Sequence, residues 1–155
     1  MKQAVRTMSF ALAFAIIAAL GLTAYVRLAP INPADWQVEL ANPRPAGLTS
    51  AVVDDQVVAL RNGAYADVEA NADAAMAMLA RLDATALATP RTRRIAGSVA
   101  AGHITWETRS LVWGFPDYTT AQLTGQGVTL YARQRFGGYD LGVNAARLRG
   151  WLSRL

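Results

Sequence analysis

Residues 128–155 read "VTLYARQRFGGYDLGVNAARLRGWLSRL". Val128, Leu130, Ala132 and Phe136 fall on one side of a two-residue period, and Thr129, Tyr131, Arg133 and Arg135 fall on the other. That alternation predicts an antiparallel strand with one face on a core and one facing water or a partner. Gly137-Gly138 then interrupts the strand, and Asn144 offers a side-chain oxygen as the N-cap of a closing helix. Val143 is placed to pack on Leu148 as a hydrophobic staple. Leu148, Trp151, Leu152 and Leu155 follow at i, i+3, i+4 and i+7, one apolar stripe. A half-buried strand running into an amphipathic helix points to a sheet with helices on its apolar side.

The segments before it extend the pattern. "QVVALRNGAYADVE" (56–69) sets Asn62-Gly63 between two apolar runs, a hairpin signal. Residues 72–88 are alanine-rich and predict a helix, with Met76, Leu79, Ala80, Asp83 and Leu87 on one stripe and Leu82 and Ala86 beside it. Asn71 or Asp73 caps its start, and Thr89-Pro90 ends it. Four strand-like runs come next, near Ile95–Val99, Ile104–Trp113, Asp117–Leu123 and Val128–Phe136, with Gly-containing turns between them. The expected order is β-β-α-β-β-β-β-α, an α+β class: an antiparallel β-sheet with two helices packed on one face.

The hydrophobic content of 53% is concentrated in front of this domain. Residues 8–26, from Met8 to Val26, are 19 positions without a charge, flanked by Lys2 and Arg6 before and Arg27 after. As a helix they extend roughly 28 Å, close to the ~30 Å hydrocarbon core of a bilayer. The run exceeds the about 7–15 apolar residues of a signal-peptide core and lacks a clear A-x-A cleavage pattern, so an uncleaved single-pass transmembrane helix is expected. Lys2 and Arg6 lean toward a cytoplasmic N-terminus, a bacterial inner-membrane location and a periplasmic domain. Four of the six prolines, Pro30, Pro33, Pro43 and Pro45, mark the following residues as a semi-stiff spacer, with Trp36 at the membrane interface or at the domain edge. The division expected is therefore anchor 1–28, Pro-rich linker 29–48 and α+β domain 49–155.

Composition removes several chemistries. There is no cysteine, which excludes disulfides, thiol catalysis and cysteine-based metal sites. The one histidine, His103, falls at a turn and is a weak metal ligand candidate. Gly125-x-Gly127 lacks the third glycine and the following helix of a nucleotide loop, and Ser110 lacks the context of a hydrolase elbow. No cofactor and no metal site is expected. The net charge of +4 rests on 14 arginines against one lysine and suits anionic partners.

"ATPRTRRIAGSV" (88–99), "ITWETRSLVWGFPDYTT" (104–120) and "LYARQRFGGYDLGVNAARLRGWL" (130–152) resemble the bacterial and plastid family catalogued as domain of unknown function 1499. The resemblance runs over about residues 50–155. It is most specific in Arg-Ser followed by Gly-Phe-Pro-Asp, and in Asp-Leu-Gly-Val-Asn. It implies Arg109, Ser110, Asp117, Arg133, Arg135, Asp140 and Asn144 as the family-type polar positions. Gly138, Tyr139 and Ala145 depart from the family pattern, so roles of the groups usual there do not carry over.

Two faces attract a functional reading. Arg133 and Arg135 share one strand face with Tyr131, and Glu107 and Arg109 share a face of another strand. Brought together, these five make a candidate ligand or partner site, because guanidinium groups pair bidentately with carboxylate or phosphate. The structural alternative is cross-strand pairing of Glu107 with an arginine. Ser110, Asp117, Asp140 and Asn144 are expected to close the fold: Asp140 bonds amides of its own turn, and Asp140 can also pair with Arg109 or Arg135. Asp117, Glu107 and Asp140 would have to meet in one cleft for a carboxylate-dependent hydrolase. The basic run "TPRTRR" (89–94) is a phosphate or lipid contact, or a solvated loop. The expected function is a membrane-anchored, non-catalytic binding or accessory module of an envelope protein or membrane complex. The alternative is a lipid or small-anion binder with a pocket between sheet and last helix. The partners expected are the bilayer, a membrane protein complex and anionic lipid; the anchor disfavours nucleic acid.

Overall fold

The computed structural model describes residues 2–41 and 57–155. Helix α1 (Lys2–Leu28) is followed by a short 3-10 helix (Pro33–Asp35), and then by β1 (Val57–Leu60), β2 (Gly63–Glu69), α2 (Ala72–Ala88), β3 (Thr92–Ser98), β4 (His103–Arg109), β5 (Pro116–Thr124), β6 (Gly127–Gln134) and α3 (Val143–Leu152). The expected start of the domain at residue 49 and the second half of the linker, with Pro43 and Pro45, lie outside the described residues.

All six strands form one antiparallel sheet in the order β1-β2-β6-β5-β4-β3. The domain is α+β, with α2 and α3 on one face. The first hairpin is shifted by one residue from its sequence signal. Leu60 pairs with Gly63, so Arg61-Asn62 form the turn. Gly63 is needed for close approach instead: a Cβ there would run into the Ala132 carbonyl of β6.

Beneath the helices lie Ala64, Ala66, Leu130, Ala132, Ala121, Ile104 and Trp106, meeting Leu79, Leu82, Ala86, Leu148 and Trp151. Small residues on the sheet let the helices approach, and the two indoles meet edge-on at 5.6 Å. Each buried indole N–H is satisfied, Trp106 by Asp83 Oδ1 at 2.9 Å and Trp151 by Thr89 Oγ1 at 3.0 Å. Asp83 also accepts from Arg94. This carboxylate turns α2 from the expected stripe: Ala75, Leu79, Leu82, Asp83 and Ala86 are buried, while Met76 and Leu87 are exposed. Asn71 caps the helix by accepting from Ala74 N at 2.9 Å.

The expected strand 104–113 stops at Arg109. Residues 110–113 leave the sheet as a loop in which Ser110 N bonds the Phe115 carbonyl at 2.9 Å. Gly142, in a left-handed conformation, is the N-cap position of α3, in place of Asn144. Asp140 supplies the capping oxygens, accepting from Gly142 N at 2.9 Å and Asn144 N at 3.1 Å. With the helix starting two residues earlier, Val143 is exposed and the expected staple is not formed.

Helix α1 is long and apolar enough to cross a membrane, over Arg6–Leu28 with a mean hydropathy of 2.1. The residues after it, expected as a spacer, lie over 30–41 along the sheet face opposite α2 and α3. Proline removes backbone donors, so such a segment needs side-chain partners to stay on a surface. It finds them. The Trp36 carbonyl accepts from Thr120 Oγ1 at 2.9 Å and from Arg133 Nη2 at 2.7 Å. Leu40 N donates to Gln122 Oε1 at 2.6 Å, and His103 Nε2 meets the Val38 carbonyl at 3.1 Å. Leu40 is fully buried with Tyr65, against Val38, Val58, Leu60 and Tyr131.

Candidate functional site

Pairing register decides what the polar face offers. Arg133 lies opposite Tyr118, Tyr118 opposite Glu107, and Glu107 opposite Arg93, so these four side chains form one row across β6, β5, β4 and β3. The faces carrying Arg133 and Glu107 therefore coincide. Tyr118 stands between them.

The middle of the row is closed. The Trp36 ring stacks on Tyr118 with centroids 3.9 Å apart, and the Arg133 guanidinium sits 5.1 Å from the Trp36 ring and 4.9 Å from the Tyr131 ring. Burial pulls the Arg133 guanidinium below its ordinary value, with Tyr131 and Tyr118 acting the other way. Burial, and secondarily the Glu107 carboxylate, raise the Tyr118 hydroxyl, opposed by Arg135 and Arg109. Arg135 donates to the Pro30 carbonyl at 2.9 Å and lies over Phe136. Three of the five candidate binding residues, Tyr131, Arg133 and Arg135, thus hold down the chain's own N-terminal segment.

The same face stays open at the Thr92–Arg93 end of β3 and the Glu107–Arg109 end of β4. Glu107, 1% exposed, accepts from Arg93 Nε at 2.6 Å and from Arg109 Nη2 at 2.8 Å. Arg109 Nη1 also donates to the Gly114 carbonyl at 3.1 Å, and Arg91 Nε donates to the Arg109 carbonyl at 3.0 Å. From the end of α1, Arg27 Nη2 reaches the Val112 carbonyl at 3.1 Å. Together with Thr92, Ser110, Leu111 and Gly114, these residues line a groove of about 450 Å³. Four guanidinium groups line the groove with one carboxylate, and two of them, Arg93 and Arg109, pair with it. An arginine has five N–H donors, and each of these four is located by one or two of them, so donors remain for a ligand. Arg91 is held in the left-handed region, at φ 61°, where a residue with a Cβ is disfavoured.

The fold-closing candidates gather elsewhere. Asp117 faces the helices and accepts from Arg147 Nη2 at 2.8 Å; Arg147 also donates to Asn144 Oδ1. Burial raises the Asp117 carboxyl above its ordinary value, Arg147 lowers it and Asp140 raises it. Asp140 N bonds the Arg61 carbonyl at 3.1 Å, tying the corner to the first hairpin rather than to Arg109 or Arg135. Glu107 points to the opposite side of the sheet from Asp117, so the three carboxylates do not share a cleft. Ser110 Oγ accepts from Phe115 N at 2.9 Å and shapes the loop. The layer between sheet and α3 is filled by Leu148, Trp151 and Trp106, which separates the groove from the pocket position expected there.

Sequence reasoning treated Arg27 as a flank of the apolar run and the 89–94 cluster as a loop of its own. The tertiary structure joins both to Glu107 and Arg109. Arg147 gave no signal beyond being one basic residue on a helix.

No curated protein and no solved structure matches the chain. The family model described as "Protein of unknown function (DUF1499)" matches residues 38–155, so its match begins within the segment laid across the sheet, and the chain belongs to that family.

Proposed function

We propose that this chain is a membrane-anchored, non-catalytic binding module of the bacterial envelope. It holds a phosphate-bearing anionic group in the groove of Arg27, Arg91, Arg93 and Arg109. The observation that carries this reading is the excess of four guanidinium groups over one shared carboxylate, at the end of the sheet that α1 adjoins. Guanidinium pairs bidentately with phosphate oxygens, and a groove with apolar as well as polar walls favours such a pair by keeping water away. In this reading α1 crosses the inner membrane once, Lys2 and Arg6 keep the N-terminus cytoplasmic, and the domain is periplasmic. A reporter fused after Leu155 is then active only outside the cytoplasm.

The phosphate can belong to a lipid headgroup or to a soluble compound, and one experiment separates them. The full chain is reconstituted in nanodiscs holding equal fractions of phosphatidylglycerol and phosphatidylcholine, and its retained lipids are weighed by native mass spectrometry. Wild type retains phosphatidylglycerol preferentially. Arg91→Gly with Arg93→Gln reduces the preference about tenfold, as the loss of charge-assisted contacts near 1.4 kcal/mol implies. Glycine suits the φ of position 91, so the first substitution leaves folding intact or improves it. Binding of free glycerol phosphate without lipid preference assigns the groove to a soluble ligand. If wild type and variant bind neither, the reading fails.

A further inference from the structure

We propose that the anchor-side end of the sheet is itself a lipid-contacting surface, with the loop Leu111-Val112-Trp113 inserted into the interfacial layer of the bilayer beside α1. The inference rests on the reading of α1 as a membrane span and is independent of what fills the arginine groove.

The anchor and the domain meet without a spacer. Val26, the last residue of the uncharged run, is 1% exposed, and Tyr25 meets Phe136 edge-on at 6.2 Å. Arg27, the next residue, donates to the Val112 carbonyl, and Arg135 holds the Pro30 carbonyl. The 110–115 loop therefore lies within the reach of one arginine side chain of the point where the apolar span ends. A bilayer around α1 has its headgroup layer at that level. The loop meets it with Leu111 at 70%, Val112 at 68% and Trp113 at 43% exposure. Three consecutive large apolar residues left in water have no folding rationale, whereas tryptophan and aliphatic side chains beside arginines suit a membrane–water boundary.

A second loop at the same end has the same character. Leu141 is 80% exposed and held at φ 55°, so leucine is disfavoured there by its contact with water and by its backbone. Arg91 and Leu141 are the two non-glycine residues at positive φ among the described residues, and both lie at this end of the sheet. The opposite end has a different surface: the 124–127 turn is Thr-Gly-Gln-Gly, and the groove beside it is lined by Glu69, Ala70, Asn71 and Gln126.

The absence of cysteine in the chain makes the test clean. Phe14→Cys in α1, Val112→Cys in the loop and Gly125→Cys at the far end of the sheet each give one site for an environment-sensitive fluorophore. Positions 14 and 112 are exposed, and a Cβ at 125 meets nothing within 4 Å. The full-length variants are reconstituted in phosphatidylcholine–phosphatidylglycerol vesicles, with and without lipid carrying a nitroxide on the acyl chain near the headgroup. The expected result is quenching at 14 and 112, with blue-shifted emission at both, and neither effect at 125. Quenching at 14 while 112 behaves like 125 overturns the proposal and leaves the anchor standing. A blue shift at 112 without quenching means that something other than lipid covers the loop, and also overturns it. No quenching at 14 removes the anchor reading, and the inference falls with it.

Discussion

The sheet face under α2 and α3 is closed by alanine, leucine and tryptophan, whereas the face under residues 30–41 is closed by threonine and arginine that donate to backbone carbonyls and by tyrosine stacked on Trp36. The first face excludes water by shape and can be filled by any well-fitting apolar set. The second is dry only where each polar group finds a partner, so the strap and the side chains beneath it depend on one another. Where residues 30–41 leave the sheet uncovered, beside Thr92–Arg93 and Glu107–Arg109, the same row of polar residues becomes an open groove. Structural arginine and available arginine differ here by a few ångströms of covering chain. Arg133 is committed to Trp36, and Arg91 is not.

Three measurements would break or sharpen that comparison. The largest effect belongs to the apolar face: Leu148→Ala should cost about 2–5 kcal/mol of unfolding free energy, since the side chain is fully buried between sheet and α3. Denaturant titration of the full chain in detergent reads it directly, and a loss below 1 kcal/mol would mean that this layer is not the core. Trp36→Ala should cost less, about 1–3 kcal/mol, because the ring is half-buried and its loss removes one stack and one cation–π contact. Hydrogen exchange at the Leu40 amide separates the two variants. Removing Trp36 should open the strap locally and speed this amide far more than the overall loss of stability explains, whereas Leu148→Ala should change it only in proportion to that loss. Equal exchange in both would show that the two faces form one cooperative unit.

The smallest effect is a slope against pH. Burial, the leading influence, raises the folded-state carboxyl of Asp117 above the 3.8 of an unperturbed aspartate. The folded protein therefore binds a proton there more readily than the unfolded chain does. The desolvation cost is present in full above the raised value and is relieved as pH falls through it toward 3.8. Relative to Asp117→Asn, wild type should gain thermal stability over that window on acidification. A relative loss on acidification would show that Arg147 and not burial governs this carboxyl, and parallel melting curves that the two cancel.

The local pattern carried much of this. Two-residue alternation put Arg133 with Arg135, and Glu107 with Arg109, because side-chain direction in a strand is a property of neighbouring residues. Caps and helix faces were less legible. Asp83 belongs to the buried side of α2 because Trp106 and Arg94, far along the chain, need its oxygens. Asn144 resembles an N-cap in sequence, yet a left-handed Gly142 starts the helix two residues earlier and hands the capping to Asp140. The groove was visible only as fragments: a flanking charge at Arg27, a basic loop at 91–94 and one strand face at 107 and 109.

The sequence by itself determined the apolar helix, the α+β class, the order of the elements and the composition of each strand face. Each of these follows from periodicity, propensity or length within a short window. Tertiary structure alone decided that a proline-rich stretch covers part of the polar face, and that four arginines from three separate segments line one groove with a single carboxylate. Those outcomes depend on strand register and on contacts between residues far apart along the chain, such as Trp36 with Arg133. No short window contains both partners.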